Sequence, residues 1–249
     1  MSLLHTSAST YGKVGPGGRY AGSVAGRPWP VANVDADAPT RTLLARTWLA
    51  QASTEACVAD SFARVHRALV ALRADDEICA LAKRAVDDEH RHAALCEELA
   101  GRYAGRCVGP YPAHTPPRPR HDEASPLMRE VLVIVGQCCL NETFASAYLS
   151  CAKAGVKETL PTFALRQLLA DEIDHARIGW SFLRTMPSHV RDELSRWLLP
   201  LAVTNLREWR KLELPDDESL AHHGVPPMPE VRAALLEVLE GVMLPGFAE

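Results

Sequence analysis

The chain reads as all-α: a four-helix bundle with a long crossover between its second and third helices, plus additional C-terminal helices. Three observations predict this. Ala, Leu, Arg and Glu are abundant and aromatics make up only 6%, which favours helices because straight-chain residues lose little rotamer freedom there. Apolar residues recur three and four apart over long stretches, and no alternating strand pattern interrupts them. The proline- and glycine-rich breaks fall where a bundle needs its connections.

Residues 1–39 are rich in Gly, Ser, Ala and Pro and are expected to form an irregular arm, with Tyr20 and Trp29 as candidate anchors. The first helix is expected from about Thr40 to Leu72, capped by Asp37 or Thr40 with Pro39 near its start. Arg73 and Ala74 leave room only for a tight turn before a second helix from Asp75 or Asp76 to about Ala100. Gly105, Gly109, Pro110, Pro112, Pro116, Pro117 and Pro119 bar regular helix from the crossover at 101–124. Ser125-Pro126 has the pattern of a cap followed by a first-turn proline, opening a third helix to about Lys153. A fourth runs from about Thr159–Pro161 to Met186-Pro187, closing a bundle domain over 40–186. Residues 187–249 form an extension with helices at about 188–212 and 229–243. Its apolar run, including Trp197, Leu201, Leu206 and Trp209, is expected to cap the bundle or to form a homodimer interface.

The 249 residues are 47% hydrophobic, enough for a sizeable core, and carry a net charge of -4 with a sequence pI near 6.2. Nothing in this balance supports binding to nucleic acid or to an anionic membrane. No uninterrupted apolar run approaches the roughly eighteen residues of a membrane span, and Met1-Ser2-Leu3-Leu4-His5 does not open a signal peptide. The seven cysteines are odd in number and contain no CxxC, so a reduced, cytoplasmic setting is expected.

The chemistry lies in two Glu-x-x-His segments, Glu89 to His92 and Glu172 to His175. Residues three apart on a helix share a face, so each pair can aim at one point. With 18 glutamates and 10 histidines, about 0.7 such matches arise by chance, so spacing alone is weak. Context supplies the specificity. Each motif lies mid-helix on an otherwise apolar or small stripe, where a carboxylate costs several kcal/mol unless paired or bound to metal. The preceding helix of each half carries a lone glutamate on its apolar face, Glu55 and Glu142. Glu55 precedes Glu89 by 34 residues and Glu142 precedes Glu172 by 30, which sets each level with its partner across a hairpin. Four carboxylates and two imidazoles thus meet at one depth, a donor set suited to a pair of first-row ions such as iron or manganese. Asp88 and Asp171 directly precede the motif glutamates; Asp88 is expected to orient His175, and Asp171 to orient His92. His66 is expected in the core rather than at the site, and His222-His223 in solvent.

At these residues the chain resembles the ferritin-like di-iron carboxylate superfamily over roughly 40–185, long crossover included. Asp88-Glu89-His90-Arg91-His92 is similar to the D-E-x-R-H signature of its oxygen-activating branch, which includes multicomponent monooxygenases, the ribonucleotide reductase small subunit, acyl desaturases and arylamine N-oxygenases. The resemblance implies a ferritin-like bundle holding two iron ions, with Mn/Fe or Mn/Mn pairs using the same ligands. It implies bridging by Glu89 and Glu172, terminal roles for Glu55 and Glu142, and Arg91 beside the site. Ser146 stands where hydroxylases of this group often carry a threonine linked to proton delivery, and Cys96 where the reductase subunit carries its radical tyrosine. Leu168 stands where proteins similar to the arylamine N-oxygenases add a third histidine, which argues against that subfamily.

The function expected is that of an O2-activating non-haem di-iron oxidase or oxygenase. It would act on a small organic substrate admitted by an apolar pocket with Phe62, Phe144 and Leu149 in its wall, and be re-reduced by a ferredoxin or flavin reductase. The alternatives are a ferroxidase or iron-storage protein, and a non-enzymatic helical protein with a structural metal site.

Overall fold

Asp37 opens the first helix by accepting the Thr40 backbone N–H at 2.8 Å, and Pro39 fits the first turn, where its missing N–H costs nothing. Helix α1 (Ala38–Ala71) then runs 34 residues, and Leu44, Trp48, Ala52, Glu55, Ala59, Phe62, Val65 and Leu69 mark its buried stripe. The computed structural model describes residues 28–109, 121–209, 212, 214–215 and 217–248. Most of the expected arm, Tyr20 included, and residues 110–120 of the crossover lie outside them.

The turn after α1 places exposed Arg73 at φ 55, while the Ala74 N–H returns to the Leu69 carbonyl at 3.0 Å. This left-handed residue reverses the chain into α2 (Asp76–Ala104), capped by Asp75. Ser125 caps α3 (Pro126–Ile134), accepting from the Met128 N–H at 3.2 Å. The third expected helix is not uniform. A π-helical turn, Val135–Asn141, separates α3 from α4 (Glu142–Gly155) and adds a residue to the repeat just before Glu142. Helix α5 (Thr159–Thr185) follows as expected.

These segments pack on one another: α1 along α2, α5 against α2, α4 and the π-turn, and α1 against α3. Their facing stripes form one core, in which each fully buried Leu or Phe contributes roughly 1.5–3 kcal/mol. Pro126–Gly155 is long and apolar enough, by length and composition, to cross a bilayer, although Arg129, Glu130 and Gln137 interrupt its apolar run. In this fold 61% of its apolar window is buried.

The extension folds onto this body. Helix α6 (Ser188–Trp209) packs on α3 and the π-turn, and α7 (Met228–Val238) packs on α4. The last expected helix does not end near 243; it passes through a π-helical turn, Leu239–Met243, into α8 (Leu244–Ala248). The loop between α6 and α7 holds a 3-10 turn, Glu218–His223, whose His222 carbonyl accepts the Lys157 and Glu158 N–H groups. His222 is exposed as expected, but His223 is buried, because the Tyr103 hydroxyl lies 3.2 Å from its Nδ1 and the rings meet edge to face. Trp29 packs on Phe163 with centroids 4.8 Å apart, beneath the Arg102 guanidinium, so the described end of the arm lies on the body. Among the described residues the chain is all-helical, with no strand.

Candidate metal centre

The six proposed donors converge at mid-height of the core. Glu55 comes from α1, Glu89 and His92 from α2, Glu142 from the start of α4, and Glu172 and His175 from α5. Their exposures are 4, 0, 1, 1, 2 and 2% for Glu55, Glu89, His92, Glu142, Glu172 and His175. They form two groups of four, Glu55–Glu89–His92–Glu172 and Glu89–Glu142–Glu172–His175, with donor atoms in each within 4.8 Å of one another. Glu89 and Glu172 belong to both. Such clusters could hold metal ions; their chemistry does not by itself choose iron over manganese.

Both imidazoles turn Nδ1 toward the carboxylates. His92 Nδ1 lies 3.4 Å from Glu89 Oε2 and 3.4 Å from Glu172 Oε1. His175 Nδ1 lies 3.0 Å from Glu89 Oε1 and 3.3 Å from Glu172 Oε2. Outward, His92 Nε2 lies 3.1 Å from Asp171 Oδ2, and His175 Nε2 lies 3.5 Å from Asp88 Oδ2. Arg91 joins the two acids, donating to Asp88 at 2.7 Å and to Asp171 at 2.6 Å. The Phe62 ring sits on His175 at 4.8 Å.

The terminal glutamates are held alike. Gln51 donates from Nε2 to Glu55 Oε1, and Gln137 donates from Nε2 to Glu142 Oε1. Gln51 lies one α-turn before its glutamate, whereas Gln137 lies five residues before and is brought into register by the π-turn. Neither glutamine stood out in the sequence, although Gln51 shares the face of Glu55. The π-turn packs against Gly179, where a Cβ would come 2.8 Å from Cys138 Cβ and 2.9 Å from the Cys139 backbone nitrogen. A side chain at 179 would therefore displace the turn that carries Gln137.

The electrostatics fit a cationic guest. Burial and then the Glu89 charge push the Glu55 carboxyl well above its usual range. Burial and then Glu172 do the same to Glu142. Burial would raise Glu172 too, but the His175 and His92 imidazoles beside it hold it well below the usual value. Burial would lower both histidines, yet their carboxylate partners raise them far above 6.5. Neither oxygen of Glu89 nor Nδ1 of His92 makes an aligned hydrogen bond, although His175 Nδ1 lies 3.0 Å from Glu89 Oε1. Lone pairs left facing one another in an interior cost about 1–3 kcal/mol each unless something accepts them. Two divalent cations would displace the protons held on Glu55, Glu142 and the imidazoles, and their four positive charges would then balance four ionised carboxylates beside neutral imidazoles.

Other expected residues are placed less simply. Cys96 is fully buried, and burial, then Glu55, Glu89 and Glu172, push its thiol well up, which sets it beside the cluster. Ser146 Oγ is buried without a hydrogen-bonding partner, so it makes no bond to the six donors. His66 is half-buried and belongs to neither group. Phe62 packs on His175, Phe144 packs beside Trp209 with centroids 6.2 Å apart, and neither is in the wall of the cavity beside Trp48. Leu149 does line it, with Trp48, Gln51 and Tyr148, which sequence reasoning missed.

Comparison with known proteins returns no match among family models, curated proteins or solved structures.

Proposed function

We propose that the chain is a ferritin-like dinuclear metal protein that uses O2 to oxidise or oxygenate a small organic substrate. The observation that carries this reading is the pair of buried donor groups sharing Glu89 and Glu172, with Glu89 between the two imidazoles. Carboxylates and imidazoles in this ratio suit iron, or iron with manganese, over zinc held by thiolates. Two bound iron(II) ions would supply the electrons that reduce O2, and an electron-donating reductase or ferredoxin would restore them.

The protein's own contribution is positional. Asp171 and Asp88 fix the imidazole rings, with each Nδ1 turned inward among the carboxylates, where it could ligate a metal. Arg91 ties both acids, so the two halves of the site share one support. Gln51 and Gln137 each hold one oxygen of a terminal carboxylate. Burial of all six donors excludes bulk water from the centre.

Oxygen consumption by the anaerobically iron-loaded chain tests this reading. An oxidase or oxygenase stops after two irons per chain and resumes with a reductant and substrate. Iron oxidation far beyond two per chain would identify a storage protein instead. Bound metal that leaves O2 uptake unchanged would indicate a structural site.

A further inference from the structure

The C-terminal extension reaches one of the two donor groups and not the other. Trp209, the last residue of α6, donates from its indole N–H to Asn141 Oδ1 at 3.2 Å. Asn141 Nδ2 in turn lies 3.5 Å from Glu142 Oε1, the oxygen to which Gln137 also donates. An indole nitrogen donates and never accepts. It therefore selects the orientation of the Asn141 amide that turns the oxygen toward Trp209 and the NH2 toward Glu142. The indole is itself held in place, with the Phe144 and Tyr148 rings at centroid distances of 6.2 and 6.0 Å. Both rings are buried on α4, the helix that Glu142 opens. On the opposite side Glu55 is held by Gln51 of its own helix, and no hydrogen bond among the described residues joins it to the extension.

We infer that Trp209 is a positioning residue for Glu142, acting through Asn141, so that the docked extension strengthens the Glu142–His175 subsite and not the Glu55–His92 subsite. The inference rests on reading the cluster as a dinuclear metal centre. A group directly behind a ligand contributes about tenfold to hundredfold to metal affinity. Trp209 stands one step further out, so its effect is that of a single hydrogen bond, about threefold to tenfold. Coupling is reciprocal: an ion in the Glu142–His175 subsite tightens the hold on the extension by the same factor. Release of the extension would loosen one ion and leave the other.

Mn(II) titration of the metal-free full chain, followed by electron paramagnetic resonance, tests this, because free, single and spin-coupled Mn(II) give distinct signals. The parent is expected to take two ions. Trp209→Phe keeps a ring against Phe144 and Tyr148; it should hold one ion with parental affinity and the other about threefold to tenfold more weakly. Asn141→Leu should weaken the same ion about tenfold, and the double variant should lose no more than Asn141→Leu alone. In a Glu55→Gln background the remaining ion should still respond to Trp209→Phe, and in a Glu142→Gln background it should not. Trp197→Phe, in the same helix but against His121, should change neither affinity. Equal loss at both subsites, losses that multiply in the double variant, or a response that persists in Glu142→Gln overturns the inference. A parent that retains fewer than two ions removes the dinuclear reading and the inference together. Two ions in the parent, both unmoved by Trp209→Phe, remove only the positioning role.

Discussion

Arg91 and the two acids it joins set the local geometry on which both imidazoles depend. Asp171 touches His92 Nε2 and Arg91 but none of the inward-facing carboxylates, so it positions a donor rather than supplying one. Asp171→Asn should therefore lower metal affinity by about 10–100-fold with the fold intact, as read by Mn(II) titration and circular dichroism. Affinity within twofold of the parent would show that the ring is held by other means. This layer was largely legible in the sequence, because Asp88 and Asp171 occupy matching places before the two motif glutamates. Gln51 was also within reach, one turn from Glu55. Gln137 was not, since a 3.6-residue period puts a residue five positions before Glu142 off its face.

At the scale of single elements, the π-helical turn between α3 and α4 is the largest departure from the expected helices. Helix starts were readable because their caps are chemical: Asp37, Asp75 and Ser125 each accept a first-turn N–H. A π-turn has no comparable signature, because its cause is tertiary. Here the turn lies against Gly179 of α5, the place where Cys138 and Cys139 need space. Gly179→Ala should destabilise the protein by about 1–3 kcal/mol, seen as a lower urea midpoint with an unchanged slope. It should weaken metal binding as well, because Gln137 reaches Glu142 only through that turn. An alanine variant as stable as the parent would show that the helices can separate at no cost.

Across the whole molecule, the extension is bound to the body through contacts the sequence did not reveal. Trp209 donates to Asn141 in the π-turn at 3.2 Å, and His223 meets Tyr103 of α2. Burial lowers the His223 imidazole below its usual 6.5, so the folded state resists a proton that the unfolded chain accepts. The stability this tie contributes is full above pH 6.5 and falls as pH drops below it. Thermal melts between pH 8 and pH 5 should show that loss, and His223→Gln should flatten it; an identical slope in the variant would place its origin elsewhere. The all-helical class and the level of the six donors followed from local periodicity and hairpin spacing. The cavity did not, because residues 48, 148, 165 and 225 meet only once the extension folds over α1 and α4. The central claim is that these six side chains bind two metal ions, and anaerobic equilibrium dialysis against Fe(II) tests it most directly. Two ions per chain in the parent, with loss of both sites in Glu89→Ala, is the predicted result. No retained iron in the parent, or the same count in both proteins, would contradict it.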